Sequence, residues 1–582
     1  MKRVIRLFLI FFLLCLSFVV YYVYQAGHEK KSKTELAKKE NVYIQTVSGS
    51  TIQVFEKGIT KTYNIRTKEM DLLSPGVADI VVLRDEVKII SMKPDTISGK
   101  VLLVDQTGLE LENYGRIEFA KSFKVYSLVD GIKETDSSNI VVGYSDIRFV
   151  VADGKIQSAL IDRPTETEQE TEHIRVMIMT DNFESYGHEK VKVTANRAFS
   201  IKEKEEVKHY KEGEKVEVSP EKYAKVTVEE GGRIKLLSIK RQNIHPSYRG
   251  EIEIRKKKAG YHIINELPLE MYLYSVVSSE MPTNYELEAL KAQAVCARSY
   301  GRSQIKENKL RRFGAHVDDS VSYQVYNNVP EDDKSRQAVK ETRGEVVVSN
   351  GKIATTYFYS TSCGSSSSSK DVWYTKEIPY LTENRTEDLS VEKTFHGFLN
   401  QREDTCFDRA FPWYRWKTTL TAESIEKQLE ANIELRYQAN PTYIRIKKGN
   451  KYTSGKPNHI GNIKKINIVR RGKSGIVTTL EIVGSKKTVR IYSEYNIRLL
   501  LAGKEAIYQR ESGDEVGGLN LLPSAFFTIK KQEGKFYITG GGFGHGVGMS
   551  QCGANGMARL GKNYREIILY YFPTTEVLQD IY

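Results

Sequence analysis

Pro282 and the four residues after it leave one stretch of this chain little conformational choice. A proline cannot continue a helix from upstream, because it lacks the backbone donor and its ring clashes with the preceding turn. Thr283-x-x-Glu286 then reads as a capping box, the pattern that satisfies the first free N–H groups of a helix. The run from Leu287 to Tyr300 follows, Ala-rich, with Leu287, Leu290, Ala294 and Ala297 on one face. Directly before this start stands Glu280, in Val276-Val277-Ser278-Ser279-Glu280-Met281-Pro282. A carboxylate at the rim of a close-packing helix is a candidate general acid. From this window alone it reads equally as a second cap or one half of an ion pair.

Around that helix the sequence is rich in strands. From Val42 to Ile161 short apolar runs alternate with turn signals, as in Ile80–Leu83, Val87–Ile90, Lys100–Val104 before Asp105-Gln106-Thr107-Gly108, and Ile147–Gly154. This predicts one or two small all-β modules over 42–162, with a spacer or binding role. The polar, acidic stretch 163–173 has no hydrophobic face and reads as a linker, as does the Lys/Glu-rich stretch 25–41. From 174 to 582 strands such as Ile174–Met179, Glu345–Ser349 and Val477–Val483 mix with helices in no regular βαβ alternation, which predicts an α+β fold.

Lys2, Arg3 and Arg6 precede an uncharged apolar stretch from Leu7 to Val23, close to the ~20 residues of a spanning helix. Tyr21, Tyr22 and Tyr24 suit the membrane interface, and no small-residue cleavage site follows. The expectation is an uncleaved anchor over 1–24, with the bulk of the chain outside the cell membrane. Lys plus Arg exceed Asp plus Glu, 87 against 74, a surplus that suits an anionic polymer or surface. No zinc-finger spacing, helix-turn-helix pattern or RNA-binding signature is present, so nucleic acid is not the expected partner. Five cysteines in 582 residues make no disulfide framework. A Cys363–Cys406 bridge stays open, with nothing in the sequence to fix it.

Near the C-terminus six of the nine residues from Gly540 to Gly548 are glycine, which admits positive φ and close approach. The stretch has no Lys-Ser/Thr end and is not a phosphate loop. His545 is its one polar ring, and Ser550, Gln551 and Asn555 follow within a turn or so of a helix. Such neutral donors and acceptors fit a glycan subsite, although a lone His among glycines is structural as readily as functional. Asn563-Tyr564-Arg565-Glu566 opens another capped, amphipathic helix that packs in the core.

The string Leu267-Pro268-Leu269-Glu270-x-Tyr272-Leu273, the VVSSEMP segment and LEALKAQAVCARSY together resemble the first signature (267–300) of the SpoIID/LytB family. Gly542-Phe543-Gly544-His545-Gly546-Val547-Gly548-Met549-Ser550-Gln551 with Cys552–Ala558 resembles its second (540–558). The resemblance covers about 174–582 and implies lytic transglycosylase action on peptidoglycan glycan strands, stripped of their peptides, with Glu280 as the catalytic acid and then base. It also implies Lys291, Arg298, Tyr300, Gln324 and Ser360 as substrate-binding residues, beside His545, Ser550 and Gln551. Some relatives carry a His/Cys metal cluster near the loop that here reads Ser360-Thr361-Ser362-Cys363-Gly364. This chain has one Cys there and no clustered His, so no metal and no other cofactor is expected. The alternative is a non-catalytic wall-binding module, or an enhancer of a partner amidase among the cell-wall hydrolases.

Overall fold

Period-two alternation builds the first strands of the chain. In the computed structural model, which describes residues 36–65, 73–129, 131–162, 172–327, 329–401 and 405–579, five strands close into a barrel. They are β1 (Ala37–Ser48), β2 (Thr51–Glu56), β3 (Ile59–Asn64), β4 (Gly76–Leu83) and β5 (Glu86–Met92), in the order β1-β2-β3-β5-β4. Val42, Ile44, Ile52, Val54, Ile80 and Val82 fill it. A second sheet runs in the order Thr96–Ser98, Ile147–Ala152, Lys155–Ile161, Gly115–Ser127, Gly108–Leu111 and Val101–Val104, over Val104, Leu109, Val125 and Phe149. There are thus two β modules. The expected linker 25–41 is shorter than its composition suggested, because β1 begins at Ala37 and Asn41 is fully buried. The Asn41 N–H donates to Asp79 Oδ1 at 2.8 Å and its amide to the Ser122 carbonyl at 3.0 Å. The expected anchor 1–24 lies outside the described residues, among which no helix is long and apolar enough to cross a membrane.

The chain divides into two compact units, 1–177 with 305–317, and 178–304 with 318–582. The barrel and the second sheet belong to the first. In the second, antiparallel strands follow the order Glu206–Tyr210, Phe199–Glu203, Tyr223–Val228, Glu251–Lys257, Gly260–Pro268. The last of these runs without a break into helix α1 (Leu269–Glu280), and helix α2 (Leu287–Glu307) follows. Two five-stranded sheets share a core of Trp416, Ile425, Leu480, Ile491, Ile497 and Phe527. The segment Phe358–Tyr359 pairs in parallel with Met549–Ser550, which leads into α3 (Gln551–Arg559) and α4 (Tyr564–Tyr571). The fold is mixed α+β and rich in sheet.

The capping box expected at Thr283 does not form. α2 begins at Leu287, and the Glu286 N–H that Thr283 was expected to accept donates instead to Asn555 Oδ1 at 2.8 Å. The later box is formed: the Asn563 side chain accepts from Glu566 N–H, and the Glu566 side chain from Asn563 N–H.

Candidate active site

α1 is pinned through Tyr272, Leu273, Val276 and Val277, all fully buried. Its last turn closes when Met281 N–H meets the Val277 carbonyl, after which Met281 turns extended and Pro282 prevents any continuation. This leaves Glu280 at the helix end, its side chain half-buried. Oε1 accepts the Val325 N–H at 2.7 Å, and Oε2 meets Gln551 Nε2 at 3.5 Å. The same Gln551 nitrogen lies 3.5 Å from Gln293 Oε1, so the amide of Gln293 orients that of Gln551. Burial pushes the Glu280 pKa from 4.5 to about 7, against the pull of the Val325 and Gln551 hydrogen bonds. No neighbouring carboxylate contributes, and among the described residues no cation pairs with it. A carboxyl so poised can both give and take a proton near neutral pH.

Two further positions serve the loop that carries Val325. Gln324 is fully buried, accepting from the Tyr272 hydroxyl at 3.2 Å and donating to the Ala297 carbonyl at 3.3 Å. Tyr326 donates to Asn265 Oδ1 at 2.7 Å. Gln324 therefore holds the Val325 N–H in place and does not offer its amide to a ligand.

His545 packs among aromatic rings, with centroids 5.3 Å from Trp373 and 5.6 Å from Tyr359. Its Nε2–H donates to the Phe358 carbonyl at 3.0 Å, and Nδ1 accepts the Val547 N–H at 3.1 Å. Burial, helped by the charge of Arg498, pushes its pKa down to about 4. Both ring nitrogens are spent on backbone, so this neutral ring braces the glycine loop. Gly548, at φ +78°, shows why that loop is glycine: a Cβ there would sit 2.1 Å from the Tyr357 carbonyl oxygen. Tyr300 is buried and meets Tyr357 edge-on at 5.8 Å, joining the same aromatic group. Ser360 is half-buried, its carbonyl accepting the Cys552 N–H at 2.9 Å.

Three expected substrate contacts are placed elsewhere. Ser550 is fully buried as the N-cap of α3, accepting from Gly553 N–H and donating to Asp408 Oδ1. Arg298 is 1 % exposed and grips Glu270 with both Nε (2.6 Å) and Nη2 (2.9 Å), besides donating to the Glu345 carbonyl. Lys291 pairs with Glu288 at 2.8 Å and Glu341 at 2.7 Å. At ~100° per residue, Lys291 and Arg298 lie ~140–160° around α2 from Gln293, the residue that meets Gln551. They share a face, but not the one turned towards Glu280.

The sequence reading missed Gln293, a polar residue visible in an otherwise apolar helical face, and Asp408, which no motif marks. Asp408 accepts the Ser362 N–H at 2.8 Å and the Ser550 hydroxyl, and burial pushes its pKa to about 7. Cys363 and Cys406 are both free thiols. Among the described residues no three His, Cys, Asp or Glu side chains converge as a metal site.

This carboxyl, served by two segments far apart in sequence, belongs to a recognisable class: the chain is a member of the SpoIID/LytB family. Residues 257–348, which include α1 and Glu280, match the family model described as Stage II sporulation protein, and 367–548 match a domain of unknown function, DUF8618. An uncharacterized protein of Brachyspira hyodysenteriae is 31% identical over 317 residues, covering 54% of this chain and 68% of its own length. The Stage II sporulation protein D of Bacillus subtilis is 28% identical over 328 residues, 54% of this chain and 75% of its own. The Amidase enhancer of the same organism is 27% identical over 306 residues, 52% of this chain, and the match spans 40% of that relative.

Proposed function

We propose that this protein is a peptidoglycan lytic transglycosylase that cuts the MurNAc-β-1,4-GlcNAc bond and leaves a 1,6-anhydro-MurNAc end. The observation that carries the reading is Glu280: one half-buried carboxyl with its pKa raised to about 7 and no acidic neighbour contributing. Hydrolytic glycosidases work with two carboxylates, ~5–5.5 Å apart for retention or ~6.5–9.5 Å for inversion, and so close a pair perturbs each member's titration. A transglycosylase needs one. Protonated Glu280 gives its proton to the bridging oxygen as the C1–O bond breaks. The resulting carboxylate takes the proton of the sugar's own C6 hydroxyl as O6 bonds to C1, and the acid is restored without net change. Val325 N–H and Gln551 Nε2 both donate to the carboxylate, stabilising the form that exists between the two steps.

In this proposal Gln551 orients the catalytic carboxyl, Gln324 positions it through Val325, and the His545 group with Tyr300 and Ser360 supports the adjoining surface. The substrate is glycan freed of its peptides. Anchoring through Leu7–Val23 would hold the enzyme at the outer face of the cell membrane, beside other cell-wall hydrolases. The test is mass analysis of the sugars released from purified glycan strands by the full-length protein and by Glu280→Gln. Anhydro-muramyl products from the wild type, absent with the variant, are expected. Reducing-end muramic acid would sink the reading in favour of hydrolysis. No sugar product from either protein, with equal stimulation of an added amidase, would favour the non-catalytic role that one relative's name describes.

A further inference from the structure

We infer that the outer face of one sheet within 367–548, the segment matched to the domain of unknown function, is a second binding surface, for a glycan that carries carboxylates. Its strands run in the order Lys451–Thr453, Ile444–Lys448, Thr488–Tyr492, Val477–Gly484 and Ile463–Arg471. Period two sends Ile444, Val489, Ile491, Leu480 and Ile482 into the core. The same alternation turns Arg445, Lys447, Arg490, Tyr492 and Glu481 to the other side, where Arg445 and Lys447 are exposed and the other three half-buried.

The first observation is unbalanced charge on accessible side chains. One row across the sheet reads Arg445, Arg490, Glu481 and Asn467, each directly opposite the next. Glu481, the one carboxylate in this row, is already engaged: it accepts from Asn467 Nδ2 at 3.1 Å and from the Tyr452 hydroxyl, and pairs with Arg490 at 3.5 Å. Arg445 Nε donates to the Thr442 carbonyl at 3.3 Å, and neither Arg445 nor Lys447 has a carboxylate partner among the described residues. At the far edge Arg470 comes no nearer than 3.9 Å to Asp371, and its side chain stays 65% exposed. Like charges directly opposite on strands ~4.8 Å apart repel. Arg445 beside Arg490, with Lys447 two positions along the same face, therefore favours an anion lodged among them.

The second observation is aromatic. Arg490 lies 3.8 Å over the Tyr452 ring, and Arg445 5.9 Å from that of Tyr492. Tyr443, directly before the Arg445 strand, is half-buried and meets the exposed Tyr374 at 5.6 Å. Tyrosine offers a flat apolar body with a polar tip, and the guanidinium fork matches a planar carboxylate. Together they fit a polymer of sugar rings bearing carboxylates. A peptidoglycan strand stripped of its peptides is one, because each MurNAc then ends in a free lactyl carboxylate. That choice of polymer rests on the proposed function, whereas the cationic, tyrosine-lined face does not. A surface of this kind would favour stripped strands, since an attached peptide turns the lactyl carboxylate into an amide.

The test is calorimetric titration of full-length protein carrying Glu280→Gln, in detergent at constant ionic strength. The probes are peptide-stripped glycan strands, the same strands with their lactyl carboxyls converted to methylamides, and single-stranded DNA. Saturable binding of the stripped strands is expected, about tenfold or more tighter than that of the amidated strands, the scale of one charge-assisted hydrogen bond. Arg445→Ala and Lys447→Glu change exposed residues and should each weaken binding of the stripped strands by a similar factor, with tryptophan fluorescence confirming the fold. Equal affinity for amidated strands, affinity unchanged in both variants, or tighter binding of DNA would overturn the surface. Binding as expected, with no sugar product from the wild type, would overturn the reading of Glu280 and leave the surface standing.

Discussion

Glu280→Gln should abolish activity and yet make the protein more stable in alkali. The carboxyl is raised from 4.5 to about 7 by burial, so between those values the folded chain holds a proton that the unfolded chain has released. Its contribution to stability is fully present below about pH 4.5 and is lost as pH rises through about 7. At ~1.36 kcal/mol for each tenfold change in acidity, the loss is about 3 kcal/mol. Glutamine cannot ionise and escapes it. It does carry one constant penalty: a single amide oxygen must face two donors, Val325 N–H and Gln551 Nε2, which costs about 1 kcal/mol at every pH. The variant should therefore be about 1 kcal/mol less stable than wild type at pH 4 and about 2 kcal/mol more stable at pH 8.5. Asp408 and Asp319, raised by burial to about 7 and about 6, titrate in both proteins and cancel in the difference. Urea unfolding followed by tryptophan fluorescence reads the right unit, since Trp373, Trp413 and Trp416 all lie in it. A variant-minus-wild-type difference that stays flat from pH 4 to 8.5 would show that this carboxyl is not held as described.

Gln551→Leu removes the weaker of the two hydrogen bonds that pull the Glu280 pKa down, so the alkaline limb of the proposed activity, expected near pH 7 for the wild type, should move up by at most about one pH unit; a downward shift would contradict the geometry. Arg298→Met leaves Glu270 without the guanidinium that grips both its oxygens and should lower stability by about 3 kcal/mol, read as a fall in thermal midpoint. The KM of the folded fraction should not change, and a raised KM at unaltered stability would return Arg298 to the substrate.

What could be read from the sequence is what neighbours in the chain decide. The β modules of 42–162 and the helix after Pro282 announce themselves through periods of two and 3.6, because each period records which face a residue turns to the core. Limits and partners were less legible. Lys38 and Lys39 made 25–41 look like a charged stalk, but β1 already runs through them, with Asn41 buried just beyond. Thr283 has the right residue at the right spacing for a cap, and Asn555, 269 positions beyond Glu286, takes the Glu286 N–H it would have used. Lys291 and Arg298 were correctly placed on one face of α2; which way that face turns depends on where Gln551 and Glu270 pack, and no local pattern contains that. Ser550 was legible as a cap and was overlooked in favour of a sugar contact.

The same long-range dependence bears on why Glu280 would be competent only in the completed fold. Burial by its own helix would push a carboxyl upward without a counterweight, giving an acid too weak to part with its proton readily. The two donors that pull it back come from 45 and 271 residues further along the chain. Val325 N–H is fixed because Gln324 is locked to Tyr272 and Ala297, and the Gln551 amide is fixed because Gln293 holds its nitrogen and Ser550 caps its helix. A cleavage of glycan by this carboxyl would need both segments docked, so a partly folded chain carries no active acid. The glycine loop serves that docking: the positive φ of Gly548 lets Met549–Ser550 lie against Phe358–Tyr359, and that ladder sets where α3, and with it Gln551, begins.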